Sequence, residues 1–180
     1  MLSRTWKNRL LSRTTYLLLS SMAVVVIAWW TAPLRRPAPP AADSGMCTVT
    51  RVIDGDTLIA TCHGQKHKLR LMHIDAPELA QQPWGQRAKQ ALAALAQTQI
   101  WVDFHGQDVY QRDLAEVYSA DKTHSINQAL VEQGMARVYR RYQPPTTLLD
   151  AMKNAKQQGI GIWQQSGLQQ NPQRFRRLAN

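Results

Sequence analysis

Three short segments rich in β-branched and apolar residues follow one another in the chain, and two turn signals separate them. They span residues 47–53, 57–62 and 66–74. Asp54-Gly55-Asp56 stands at the first junction and His63-Gly64-Gln65 at the second, and Asp-Gly pairs favour tight hairpin turns. The pattern predicts three antiparallel strands, each connected to the next by a hairpin.

The following residues show two more strand patterns and three helical ones. The strand patterns cover 100–104 and 114–118, and the helical patterns cover 83–97, 125–133 and 147–158. Ser125 is a favourable N-cap, whereas Gly134 and Gly159 favour helix ends. The predicted order, β-β-β-α-β-β-α-α, is typical of an α+β fold on a five-stranded, antiparallel OB-type barrel with three helices. Such barrels bind oligonucleotides or oligosaccharides, but a fold alone does not fix a function.

Residues 14–34 carry no charge, and a helix of about 20 apolar residues is long enough to cross a bilayer. Basic residues precede this stretch in segment 1–13, and Trp29 and Trp30 stand at its far end, where interfacial aromatic residues are expected. We therefore expect one N-terminal transmembrane helix, with the following domain in the periplasm or at the cell surface. The alternative is a signal peptide cleaved after Val26-Ile27-Ala28, which would release the domain.

Composition divides the rest of the chain into a linker, a domain and a tail. Residues 35–45 are rich in proline, which favours an extended spacer, and the domain is predicted to span 46–164. Residues 165–180 are rich in Gln, Asn and Arg and are predicted to form a disordered basic tail. The formal net charge is +10, but many of the basic residues lie in the two terminal segments. The domain is therefore nearly neutral, and charge alone does not identify it as a nucleic-acid-binding domain.

The two cysteines, Cys47 and Cys62, lie on the first two predicted strands on either side of the Asp54-Gly55 turn. A symmetric hairpin centred on that turn would place them opposite each other, within reach of a disulfide. An exported domain would meet the oxidising conditions that such a bond requires. The alternative is a pair of free cysteines, half buried on the sheet.

Acidic residues lie at two predicted turns of the domain. Asp54 and Asp56 flank Gly55, and Asp75 and Glu78 flank Ala76-Pro77. Each pair alone is common in hairpin turns or at the starts of helices and does not indicate a function. Together they provide hard oxygen ligands for a divalent cation and a further carboxylate that can orient or deprotonate water.

Two arginines complete a set of groups suited to phosphodiester hydrolysis. Arg70 lies in the third strand and Arg112 precedes the fifth, and guanidinium groups can clamp a phosphate and stabilise its developing negative charge. Arg70 and Asp75 are five residues apart, so a straight strand would place them on opposite faces. A bulge or a sharp bend near residues 72–74 is therefore required if they share one site.

Three ordered segments resemble the thermonuclease (staphylococcal-nuclease-like) family. They are Val52-Ile-Asp-Gly-Asp-Thr-Leu58, Leu69-Arg-Leu-Met-His-Ile-Asp-Ala-Pro-Glu78 and Tyr110-Gln-Arg112. The stretch Ser125 to Ala136 resembles the helix that follows in the family, and Gly161-Ile-Trp163 resembles its C-terminal end. The resemblance covers roughly residues 46–164, and the ordered set is more specific than any of its parts.

The resemblance implies a role for each matching position. Asp56 and Asp75 would bind calcium together with the backbone carbonyl of Ala76, where the family usually has threonine. Glu78 would act as the general base or orient the attacking water. The phosphate would be bound by Arg70 and Arg112, and the nucleotide pocket would be lined by Tyr110 and Tyr142. The sequence is equally compatible with Tyr142 as a core residue.

The implied function is a calcium-dependent nuclease that hydrolyses DNA, RNA or both and leaves 3′-phosphate ends. The alternative from another class is a catalytically silent OB-type module, tethered to the membrane, that binds single strands by stacking on aromatic residues. Five residues separate the two hypotheses, because a module that only binds has no need of them: Asp56, Arg70, Asp75, Glu78 and Arg112. No feature indicates a protein partner, and a monomer is expected.

Overall fold

The computed structural model describes residues 44–179. The basic segment 1–13, the predicted transmembrane segment 14–34 and most of the linker 35–45 lie outside the described residues. In the part of the chain that the structure describes, no helix is long and apolar enough to cross a membrane.

Five strands form a closed barrel, as the sequence predicts. They are β1 (Gly45–Val52), β2 (Thr57–Cys62), β3 (Gln65–Leu71), β5 (Gln99–Gln107) and β6 (Asp113–Ser119), and a further strand, β4 (Ile74–Asp75), stands outside the barrel. Their order around the barrel is β1-β2-β3-β6-β5. The prediction that all neighbours are antiparallel was wrong at one junction, because β3 and β6 pair in parallel and thereby close the barrel.

The first hairpin pairs Cys47 with Cys62, and a disulfide joins them with their Cα atoms 4.4 Å apart. The pairing is not symmetric along its whole length. A register shift between Val49 and Arg51 places one extra residue in β1, so Val52 lies opposite Leu58. This bulge twists the end of the hairpin that carries the Asp54-Gly55-Asp56 turn.

The predicted third strand is interrupted at residues 72 and 73. β3 ends at Leu71, His73 adopts a left-handed backbone conformation with φ of 61°, and the chain resumes in β4, which pairs with β7 (Arg137–Val138). Asn127 donates a hydrogen bond from Nδ2 to the Met72 carbonyl, and the Tyr139 N–H donates to the His73 carbonyl. The bend that Arg70 and Asp75 require is therefore present and is held by other elements.

In residues 44–179 four α-helices pack around or follow the barrel: α1 (Trp84–Ala96), α2 (Ile126–Glu132), α3 (Thr146–Gln158) and α4 (Pro172–Ala179). The hydroxyl of Ser125 caps α2 by accepting the Gln128 N–H, and α3 ends at Gly159, whose φ is 61°. The barrel core consists of fully buried aliphatic side chains, among them Leu58, Leu69, Leu71, Ile100, Val102 and Val117. α1 contributes Ala88 and Leu92 to the same cluster.

The C-terminal residues correct the predicted count of three helices and the prediction of a disordered tail over 165–180. Residues 168–170 form a 3-10 turn and 172–179 form α4. The Gln81 side-chain amide donates a 2.8 Å hydrogen bond to the Leu168 carbonyl, which attaches the tail to the domain. Composition did not reveal this attachment, because its partner lies 87 residues earlier in the chain.

Candidate active site

The turn between β1 and β2 holds Asp56 at the edge of the barrel, where the residue is only 7% exposed. Asp56 Oδ1 accepts a hydrogen bond from the Thr57 hydroxyl, and Oδ2 accepts the Ala76 N–H at 2.8 Å. A Cβ atom at Gly55 would lie 2.7 Å from that of Ala76 and 2.6 Å from that of Ala88. Only glycine allows this turn to approach the Asp75-Ala76 segment and α1 so closely.

Arg70 lies between the two buried aspartates. Its Nη1 atom is 3.0 Å from Asp56 Oδ2, and its Nη2 atom is 3.5 Å from Asp75 Oδ1. The guanidinium also donates a hydrogen bond to the Leu71 carbonyl, which fixes its orientation. The bend at His73 has therefore brought Arg70 and Asp75 to the same site, although five residues separate them.

Glu78 lies on the turn that leads into α1, with its side chain 36% exposed. The Gln81 Oε1 atom accepts the Glu78 N–H at 2.8 Å. A Cβ atom at Gly85 would lie 2.0 Å from the Glu78 carbonyl oxygen, so α1 packs directly on the turn. These contacts fix the backbone of Glu78 and leave its side chain partly exposed.

The donor set fits a hard divalent cation. Asp75 is 1% exposed, and its Oδ2 atom is buried without a hydrogen-bond partner. Within residues 44–179 no group of three or more His, Cys, Asp or Glu side chains forms a ready metal site. A cation here would therefore take the two carboxylates Asp56 and Asp75, the Ala76 carbonyl and water, an all-oxygen set that calcium accepts.

The acidic cluster carries unfavourable charge in the absence of a cation. Burial, and then the negative charge of Asp56, raises the pKa of the Asp54 carboxyl to about 6. Burial also raises the pKa of Asp75, although the positive charges of Arg176 and Arg70 oppose the shift. A bound cation would favour the ionised forms of both carboxyls.

Arg112 and Tyr110 lie on the loop between β5 and β6. Arg112 forms an ion pair with Asp108, with 2.6 Å between Nη2 and Oδ2, and its guanidinium carbon lies 5.5 Å from the centre of the Tyr110 ring. Arg112 precedes β6 and lies two residues before Leu114, which pairs with Arg70. In the described residues Arg112 forms its ion pair with Asp108 and not with the carboxylates of the site.

Both tyrosines implied by the resemblance are on the surface. Tyr110 is 77% exposed and Tyr142 is 47% exposed, so the interpretation of Tyr142 as a core residue was wrong. The Tyr142 ring lies 6.1 Å from the Tyr139 ring, in an edge-on arrangement. Arg112 lies over the Tyr110 ring and Arg141 over the Tyr142 ring.

Comparison with known proteins gives a family match that covers the Asp75–Glu78 turn and Arg112 but begins after the turn that holds Asp56. The family model described as "Staphylococcal nuclease homologue" matches residues 68–165. The chain belongs to this family. An uncharacterized endonuclease of Haemophilus influenzae is 41% identical over 123 residues, which are 67% of this chain and 67% of the relative.

Two further relatives carry nuclease names. A micrococcal nuclease of Shigella flexneri is 35% identical over 141 residues, covering 73% of this chain and 80% of the relative. A thermonuclease of Staphylococcus intermedius is 28% identical over 168 residues, which cover 84% of this chain and 97% of the relative. As a member of the staphylococcal nuclease homologue family, the chain is a nuclease, a hydrolase with a nucleic-acid substrate.

Sequence reasoning missed one residue that contacts the carboxylates of this nuclease site. Arg176, on α4, donates a hydrogen bond from Nη2 to Asp75 Oδ1 at 3.0 Å and another from Nη1 to Glu78 Oε1. It lies outside the segments that resemble the family, within the basic tail. Its contact with the site is seen only in the structure, where the tail folds back to the carboxylates.

Proposed function

We propose that the chain is a calcium-dependent nuclease that cleaves DNA, RNA or both and leaves 3′-phosphate ends. The observation that carries the proposal is the convergence of two buried aspartates on Arg70, with 3.0 Å and 3.5 Å between the charged atoms, together with the partly exposed carboxylate of Glu78. A module that only binds single strands has no use for this arrangement.

Each side chain has a task that follows from its position. Glu78, partly exposed on a fixed turn, orients a water molecule and takes its proton as the oxygen attacks phosphorus. Arg70 and Arg112 donate hydrogen bonds to the phosphate oxygens as negative charge builds up on them. The bond from phosphorus to the 5′ oxygen breaks, that oxygen takes up a proton, and the phosphate stays on the 3′ side.

The cation fits the same scheme. Calcium bound by Asp56, Asp75 and the Ala76 carbonyl would neutralise the phosphate and make its phosphorus more open to attack. The site would supply only a few protein oxygens, and water would complete the coordination of the cation. Such a site favours calcium, which tolerates irregular coordination, over magnesium, which requires near-octahedral geometry.

The site is suited to a polymer. Tyr110 and Tyr142 offer exposed rings for stacking with bases near the scissile phosphate. Stacking of this kind requires a substrate with several bases, and a strand of DNA or RNA provides them.

We also propose that the domain works outside the cytoplasm as a monomer, attached to the membrane through residues 14–34 or secreted if that segment is cleaved. The uncharged segment with basic residues before it supports this orientation. The Cys47–Cys62 disulfide supports an oxidising compartment.

The test is cleavage by the full-length chain of single- and double-stranded DNA and RNA, each in calcium, in magnesium and in excess chelator. Chelation should abolish cleavage and added calcium should restore it. The product ends are read by polymerase extension, which a 3′-phosphate blocks until phosphatase removes it. Cleavage that continues in chelator would contradict metal dependence, and products that extend without phosphatase would contradict the proposed ends.

A further inference from the structure

The guanidinium of Arg176 bridges the two carboxylates that do different work in the proposed mechanism. Its Nη2 atom lies 3.0 Å from Asp75 Oδ1, and its Nη1 atom is hydrogen-bonded to Glu78 Oε1. Arg70 already forms ion pairs with Asp56 and Asp75. Arg176 therefore brings a second positive charge to the carboxylates, at the place where a bound calcium ion would bring a charge of +2.

This contact opposes the binding of a cation at Asp75. Arg176 pairs with the Asp75 oxygen that Arg70 also contacts, and a cation on the other oxygen, Oδ2, would be repelled by both guanidinium groups. At Glu78 the same guanidinium donates a hydrogen bond to Oε1 and leaves one carboxylate oxygen for water. The arrangement with Arg176 in place therefore disfavours a cation and takes one oxygen of each carboxylate.

The helix that carries Arg176 is held weakly enough to leave. Pro172 is the only buried residue of α4, and the Arg176 side chain itself is 41% exposed. Before α4 begins, the tail is attached to the domain by hydrogen bonds from Gln81 to the Leu168 carbonyl and from Arg137 to the Gln170 carbonyl. α4 can therefore separate from the site while residues 168–170 stay in place.

We propose that Arg176 is an internal competitor of the catalytic cation: it occupies Asp75 and Glu78 in the metal-free enzyme, and calcium binding releases it together with α4. The inference rests on the proposed calcium dependence of the site. Coupling is reciprocal, so if calcium weakens the contact of Arg176, removal of Arg176 must strengthen the binding of calcium.

The first experiment measures calcium affinity by calorimetry on the full-length chain and on two variants. Arg176→Gln removes the competitor, and Arg177→Gln removes the same charge from an exposed neighbour on the same helix. Arg176→Gln should bind calcium about five- to tenfold more tightly, a usual range for coupled sites. Arg177→Gln should stay close to wild type, which separates the contact from a general effect of charge.

The second experiment follows amide hydrogen exchange of residues 172–179 by mass spectrometry. Calcium should speed exchange in α4 of wild type and of Arg177→Gln. In Arg176→Gln the exchange should already be fast without calcium and should not respond to it. A thermal melt of each variant in chelator verifies that the barrel is folded.

The outcomes distinguish this inference from the proposed function. Unchanged or weaker calcium binding by Arg176→Gln, or an α4 that exchanges no faster in calcium, overturns the competitor role even if DNA is cleaved normally. Calcium binding that tightens in Arg176→Gln supports it even if no cleavage is found. Absence of calcium binding in all three proteins would overturn the metal site and the inference with it.

Discussion

Asp56 Oδ2 accepts the backbone N–H of Ala76 at 2.8 Å, although the two residues lie 20 positions apart. This hydrogen bond joins the β1–β2 turn to the segment that follows β4. The carboxylate implied to bind the cation therefore also fixes the position of the carbonyl implied to be the third ligand. One side chain thus has a structural and a functional task, and two substitutions separate them.

Asp56→Ala should cost about 1–3 kcal/mol of unfolding free energy in chelator, because the buried Ala76 N–H loses its acceptor. Asp56→Asn keeps an oxygen acceptor and should lose less stability, but it should lose calcium-dependent cleavage as completely as the alanine variant. Urea unfolding and a cleavage assay on the same samples test both statements. Equal destabilisation by the two variants would contradict the importance of this hydrogen bond.

Glu78→Gln should lower turnover by roughly 10²-fold or more, because the amide keeps the shape but cannot take a proton. Substrate binding should change little. Glu132→Gln, at an exposed position on α2, is the matched control and should cleave like wild type. Near-normal turnover of Glu78→Gln at saturating calcium would remove Glu78 from its assigned role.

Asp54 should make the metal-free domain less stable as the pH rises. Its pKa is raised to about 6 by burial and by Asp56, whereas an unfolded aspartate titrates at about 3.9. The folded state thus holds the proton more tightly, and the unfolding free energy falls between about pH 4 and pH 6. Asp54→Asn cannot ionise and should lose less stability over this interval. Urea unfolding of both proteins in chelator, at about pH 4 and about pH 7, tests the difference.

Local patterns in the sequence predicted the barrel well. β-Branched segments and glycine turns located all five barrel strands within a few residues, and Ser125 and Gly159 marked ends of helices. The bend near His73 was predicted because Arg70 and Asp75 could not otherwise share a site. The parallel pairing of β3 with β6 was not predicted, because only closure of the barrel requires it.

The sequence predicted those residues of the candidate site that lie in the short segments resembling the family. Asp56, Arg70, Asp75 and Glu78 lie together in the structure, whereas Arg112 stays with Asp108. The contribution of Gln81 and Gly85 to the Glu78 turn depends on how α1 packs. The place of Arg176 in the site could not be predicted, because its contact with Glu78 joins residues 98 positions apart and no local sequence pattern indicates it.

Membrane topology is a separate prediction, since residues 14–34 lie outside the described part of the chain. Basic residues before the segment should keep the N-terminus in the cytoplasm and export the domain. Alkaline phosphatase fused after Asn180 should be active, and a fluorescent protein that folds only in the cytoplasm should be dark. The reverse result would show that the domain stays inside.

The Cys47–Cys62 disulfide should stabilise the exported domain. It closes a loop with a sequence separation of 15, and cross-linking a loop of this size contributes up to about 3 kcal/mol by restricting the unfolded chain. The bond also ties together the two strands whose turn presents Asp56.

Replacing both Cys47 and Cys62 with alanine should therefore lower the unfolding free energy by up to about 3 kcal/mol. A reducing agent should lower the stability of wild type in the same way and leave the double variant unchanged, which controls for effects of the substitutions themselves. Mass spectrometry of exported protein, alkylated without prior reduction, measures the bond directly. Folded wild type should show no alkylated cysteine, because both sulfurs are already bonded, and two alkylated cysteines per chain would rule the disulfide out.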